Sequence, residues 1–144
     1  MICKIFLDSD IFLDILLFRE PHFESSVSIF HLRIEQEVEL FTSPSIILNI
    51  NYIAQKQYNK EKALKGVSEI LKIVEIVETT GEILINCFNH KYVDVEDAVQ
   101  YFTASQNNSI KYFITRNVRH FRFKNTDLKI LTPTDFLKLF KQKP

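Results

Sequence analysis

The sequence predicts an α/β fold, a three-layer α/β/α sandwich with a mainly parallel central sheet. Short apolar runs of strand character alternate along the whole chain with longer segments of helical periodicity, the pattern of strands joined by crossover helices. The composition agrees: 46% apolar, 25% charged, two glycines and four prolines in 144 residues describe one compact domain over 1–144. No internal repeat or low-complexity segment interrupts it.

The first run, CKIFL (3–7), reads as a buried strand, followed by a short helix through about Leu17 that Arg19-Glu20-Pro21 breaks. From His22 to about Gln36, Phe23, Val27, Ile29, Phe30 and Ile34 recur at helical spacing. VELFT (38–42) predicts a second strand, and Ser43-Pro44 an N-cap with proline at the first position of a helix through SIILNINYIAQKQY. Lys60 to Leu71 is amphipathic, and VEIVE (74–78) alternates as a strand does. Thr79 with Glu82 offers a capping box for a helix ending near His90. A helix is expected from Asp94 to about Asn107, strands at KYFIT (111–115) and LKILT (128–132), and a last helix, DFLKLF, opened by Thr132-Pro133.

Eighteen basic residues balance eighteen acidic ones, so any affinity for nucleic acid must come from local charge. Cys3 and Cys87 lack the spacing of a zinc site or a disulfide framework and read as reduced core residues. No signal peptide is recognised and no apolar run approaches the roughly 18 residues that span a bilayer, so a cytoplasmic protein without a membrane partner is expected.

In α/β folds, function gathers at the C-terminal ends of strands. After the first strand come Asp8 and Asp10. Asp94, Glu96 and Asp97 open the helix before KYFIT, and Thr115, Arg116 and Asn117 follow it. All three places can meet at one sheet edge. Mg²⁺ or Mn²⁺ takes oxygen ligands of this kind, and a cation would remove the repulsion among the acids. Capping competes as an explanation: Asp8 precedes a helix, and Asp94 with Asp97 is also the spacing of an N-cap and its third helical residue. Glu96 should be a solvated charge, and Asp14, one turn beyond Asp10, an exposed or locally hydrogen-bonded acid.

The segment RNVRHFRFK (116–124) concentrates Arg116, Arg119, Arg122, Lys124 and His120 around Phe121 and Phe123. Cations of this kind contact phosphates, and the phenylalanines would either stack on bases or anchor the loop to the core. None of His22, His31, His90 and His120 has the spacing of a zinc pair on one helix, and two glycines leave little scope for a phosphate-cradling loop.

The ordered segments FLDSDIFLDILL, SPSIILNINYI, DVEDAVQYFTA, YFITRNVRHF and LTPTDFL together resemble the PIN domain family, in particular the VapC-like toxins of toxin–antitoxin pairs. The resemblance covers nearly the whole chain and implies a Mg²⁺- or Mn²⁺-dependent endoribonuclease. It places Asp8 at the family's first acid, Asp10 where Asn or Asp is usual, Asp97 at the later helix acid, and Asn117 in the T-R-N motif. By this reading Asp8 and Asp97, with Asp94 assisting, hold the metal, and Asp10 orients its water. Thr115 and Asn117 hold the pocket by hydrogen bonds, and Arg116, Arg119 and Thr115 lie on the RNA side. Two positions depart from the family. Asn49 stands where many members carry Glu, and His120 where an acid commonly follows the T-R-N turn. The departures motivate an alternative, a catalytically weakened module that binds RNA or protein. The resemblance also implies a cognate antitoxin over the cleft, while the apolar faces of the 22–36 and 44–58 helices are candidates for a homodimer contact. A D-S-D sequence after a strand is also found in haloacid-dehalogenase-type phosphatases, but the order of the later motifs here argues against that reading.

Overall fold

The computed structural model describes residues 2–121, 123 and 127–141. The elements in chain order are β1 (Cys3–Leu7), α1 (Ser9–Leu16), α2 (Phe23–Ile34), β2 (Val38–Thr42), α3 (Pro44–Gln57), α4 (Lys60–Leu71) and β3 (Val74–Ile76). There follow α5 (Gly81–Asn89), α6 (Val95–Ser105), β4 (Ile110–Ile114), a 3-10 turn (Val118–His120), β5 (Lys129–Leu131) and α7 (Pro133–Lys141). The five strands form one sheet in the order β3-β2-β1-β4-β5, and every pairing is parallel.

Strand order and handedness set the layers. The chain moves outward from β1 through β2 to β3, so right-handed crossovers put α1 to α4 on one face. It then returns past β1 to β4, which carries α5 and α6 to the other face. The helix contacts agree: α1 packs on α2 and α3, α3 on α4, α2 on α7, and separately α5 on α6. This is the expected three-layer sandwich.

The central strand β1 is covered on both faces, which is why it reads as an unbroken apolar run: Ile5, Phe6 and Leu7 are fully buried. Its register sets Phe6 beside Phe41 of β2 and Phe113 of β4. The Phe6 and Phe113 rings stack with centroids 5.2 Å apart. Phe121 and Phe123 extend this aromatic core, lying 4.7 Å from Phe113 and 4.6 Å from Tyr101, so they anchor the loop and do not offer bases a stacking platform.

Several element boundaries differ from expectation. The third strand stops at Ile76 because it is the sheet edge, with Glu75 and Ile76 exposed. Thr80, not Thr79, caps α5 by accepting from Ile83 N, while the Thr79 hydroxyl bonds Thr103 Oγ1 at 2.7 Å. The fourth strand ends one residue early, leaving Thr115 just beyond the sheet. Ser43 caps α3 and Asp94 caps α6 as the sequence indicates.

Candidate metal centre at the sheet edge

The strand order reverses between β1 and β4, and at such a switch point the loops leaving two adjacent strands part to open a crevice. Asp8 leaves β1 there and Thr115 leaves β4, tied by a bond from Asp8 N to Ile114 O at 3.0 Å. Asp8 is the N-cap of α1. Its Oδ1 accepts from Ser9 N at 2.8 Å, and its Oδ2 from the Thr115 hydroxyl at 2.9 Å. Thr115 in turn accepts from Asn117 N at 3.1 Å. Thr115 is fully buried, so it braces Asp8 from beneath and cannot serve as the RNA-side contact expected of it. Asn117 enters this network through its backbone, with an exposed side chain.

Asp10 and Asp14 lie one helical turn apart on the inward face of α1 and both receive Arg116. Arg116 N donates to Asp10 Oδ2 at 3.0 Å, and its guanidinium grips Asp14 with Nε–Oδ2 2.8 Å and Nη2–Oδ1 3.0 Å. The expectation of an exposed or locally bonded Asp14 is therefore overturned: it is fully buried and its partner lies 102 positions away. Arg116 is likewise turned inward, with Nε and Nη2 spent on Asp14. Arg119 remains exposed in the 3-10 turn, and Arg122 and Lys124 lie outside the described residues. Asp10 does not line the cleft; it positions the 115–117 turn, and its Oδ1 is buried without a hydrogen-bond partner among the described residues.

The opposite wall comes from α6. Asp94 Oδ1 accepts from Asp97 N at 3.0 Å, and Asp97 Oδ2 lies 3.3 Å from His120 Nδ1. His120 is thus an occupant of the site, brought in by the 3-10 turn. Asp94, Asp97 and His120 each offer a ligand atom within 4.8 Å of the others. An open cleft of about 1170 Å³ is lined by Asp8, Asn49, Asp94, Glu96 and Asp97, with Leu48, Leu84, Phe88 and Val93 on its apolar side. Asn49 is exposed on α3 and adds no charge. Glu96 is exposed at the rim, consistent with a solvated role.

Sequence reasoning missed Gln100, one turn beyond Asp97. Its amide accepts from Ser43 Oγ in a short bond and donates to Ser45 Oγ at 2.7 Å, pinning α6 to the first turn of α3. The only available signal was its place on the face of α6 that carries Asp97.

These carboxyls are held above their ordinary range. Asp8 is raised by burial and by the charges of Asp97 and Asp94, against the opposing pull of the Ser9 amide and Thr115. Asp10 is raised by burial and by the charge of Asp8, partly offset by Arg116. Burial and Asp94 push Asp97 up to about 6, with His120 acting the other way. Asp8 and Asp97, desolvated and facing one cleft with Asp94, are a donor set that a divalent cation fits.

Among known proteins, Ribonuclease VapC1 of Aquifex aeolicus (strain VF5) is 28% identical to this chain over 140 residues, covering 92% of each. The DNA-bound VapBC structure from Salmonella typhimurium matches with a TM-score of 0.68 at 18% identity, over 92% of this chain and 99% of that one. VapBC2 from Rickettsia felis, bound to a DNA fragment from its promoter, matches with a TM-score of 0.67 at 14% identity, over 90% and 98%. At these identities the two structures speak for the fold alone. The PIN domain family pattern runs through residues 4–119, from the strand before Asp8 to the turn after Thr115, and this chain belongs to the PIN domain family.

Proposed function

We propose that this chain is a Mg²⁺- or Mn²⁺-dependent endoribonuclease acting in the cytoplasm as the toxin of a toxin–antitoxin pair. The observation that carries the reading is the convergence of Asp8, Asp94 and Asp97 on one open cleft, where burial and mutual charge raise Asp8 and Asp97. The relative named as a ribonuclease supports it, and the VapBC structures share the fold it requires. Among the described residues no helix is long and apolar enough to cross a membrane.

Asp8 and Asp97, with Asp94 beside them, would hold the ion. When bound, it offsets the charge of the RNA phosphate and acidifies water for attack on the phosphodiester. The chain's own work is to hold that geometry. Thr115 fixes the Asp8 carboxylate, Arg116 N and Asp10 fix the turn that bears Thr115, and Gln100 fixes α6 against α3. Arg119, exposed in the 3-10 turn, would meet a phosphate. A cognate antitoxin is the proposed partner over the cleft. Leu48 and Tyr52, exposed on α3, extend its apolar surface toward a second copy or that partner.

The test is cleavage of single-stranded RNA by rigorously purified protein with and without a chelator. Asp8→Asn and Asp97→Asn should each lower the rate at least about 100-fold, since each removes a carboxylate that would hold the ion offsetting the phosphate's charge. Undiminished cleavage by either variant would overturn the reading. Asn49, uncharged on the cleft wall, favours the alternative of a binding module. That reading is adopted if wild-type protein neither cleaves nor is stabilised by Mg²⁺ or Mn²⁺.

A further inference from the structure

We propose that Asp94, Asp97 and His120 form a mixed carboxylate–imidazole centre that selects a first-row transition ion over Mg²⁺. The inference rests on the reading above that the cleft holds a divalent ion, and it concerns which ion. His120 Nδ1 and Asp97 Oδ2 stand 3.3 Å apart. Two donors each about 2.1 Å from one ion are separated by roughly 3.0–3.4 Å, so this pair can share an ion without rearrangement. Asp94 supplies the third donor within 4.8 Å, and its capping bond to Asp97 N engages Oδ1 only.

The three side chains are held by fixed elements. Asp94 and Asp97 belong to the first turn of α6. His120 closes the 3-10 turn, where its own N–H bonds Asn117 O at 3.0 Å and the next residue, Phe121, is buried against Phe113. Asp94 and His120 are exposed, which gives an ion an entry path. Asp8 lines the same cleft as Asp94 and Asp97 and adds a further carboxylate at this edge.

Ligand chemistry then decides the ion. Mg²⁺ takes oxygen donors in a near-ideal octahedron and keeps several waters, whereas imidazole suits the later transition ions. An acid at position 120 would make an all-oxygen site; the imidazole shifts the balance toward later ions such as Co²⁺, Ni²⁺ or Zn²⁺. Co²⁺ outranks Mg²⁺ at most sites, so the informative quantity is how the ratio of the two affinities changes when the nitrogen donor is removed.

The experiment is calorimetric titration of chelator-stripped full-length protein with MgCl₂, MnCl₂ and CoCl₂, for wild type, His120→Asp and His120→Asn. Pulsed electron paramagnetic resonance of the Mn²⁺-loaded forms accompanies it. The expected result is a fall of at least tenfold in the Co²⁺-to-Mg²⁺ preference in both variants, with nitrogen modulation of the Mn²⁺ signal in wild type alone. A preference unchanged within threefold, or wild-type Mn²⁺ without nitrogen modulation, overturns the inference and leaves the all-oxygen site standing. Failure of stripped wild-type protein to bind any of the three ions overturns both the inference and the metal-dependent reading beneath it.

Discussion

Replacing Arg116 by alanine should cost the fold about 3–5 kcal/mol, which separates a structural arginine from one that meets RNA. The magnitude follows from what the side chain leaves behind. Asp14 is fully buried and takes two charge-assisted bonds from the guanidinium, at 2.8 and 3.0 Å, while the Arg116 side chain is 26% exposed. Removing the arginine strands a carboxylate with no route to water, whereas Asp14→Asn leaves a guanidinium that solvent still reaches. The second change should therefore cost less, about 1–2 kcal/mol. Arg116→Lys keeps the charge but loses the two-pronged fit and should fall between them. A double variant replacing both residues by apolar ones of similar size should be more stable than Arg116→Ala alone, because neither charge is then buried unpaired. Urea unfolding followed by circular dichroism reads these differences directly. In a thermal melt, the alanine variant should lose on the order of 10–20 °C. A loss below about 1 kcal/mol, together with weakened RNA binding, would refute the structural assignment and return Arg116 to the phosphate-facing role.

Three further outcomes are expected. Thr115→Val keeps the shape but deprives Asp8 of its hydroxyl donor and Asn117 N of its acceptor, so it should cost about 1–3 kcal/mol and weaken divalent-ion affinity about 10–100-fold; Thr115→Ser should restore most of both, by calorimetry. Gln100→Ala unties α6 from α3 and should lower stability by about 1–2 kcal/mol, with faster hydrogen exchange at the Ile46 and Ile47 amides as the readout. Chelator-treated protein should become more stable as pH falls from about 7 to 5: Asp97 holds its proton up to about 6 when folded and releases it near the ordinary 3.8 when unfolded, so in that window the folded form binds more protons and stability is lost as pH rises. Asp8 and Asp10, raised in the same direction, add to the slope. Melting temperatures against pH with and without Mn²⁺ check this, and a metal-free melting temperature that rises with pH across the window would contradict it.

Periodicity and capping chemistry carried most of the fold, because they are local. Ser43-Pro44, Asp94 and Thr132-Pro133 mark helix starts through contacts within one turn, and the apolar run at 3–7 reports burial on both faces. The misreadings concern long-range partners. Nothing near Asp14 reveals that residue 116 will lie against it; that follows from the placement of β4 beside β1, which a 102-residue separation hides. Thr79 and Thr80 are chemically equal candidates for the cap of α5, and the choice falls to Thr80 while Thr79 bonds Thr103 of α6. His120 looked like a lost acid because family position alone gives no distance, yet the 3-10 turn sets its imidazole against Asp97.

The acids of IFLDSDIFLDIL show why capping and ion binding were never exclusive explanations. Asp8 sits where the chain passes from strand to helix, its backbone extended at φ −77° and ψ 166°. Its Oδ1 caps the helix and its Oδ2 takes the Thr115 hydroxyl, each through one bond. A carboxylate offers about four lone-pair directions, so both bonds leave room for a cation on the cleft side. Asp94 repeats the arrangement with one oxygen capping α6. Asp10 and Asp14, two and six residues further along, have turned with the helix toward the core, where Arg116 meets both. Helical phase, more than residue type, thus separates the acid that faces the cleft from the two that hold the cleft's floor in place.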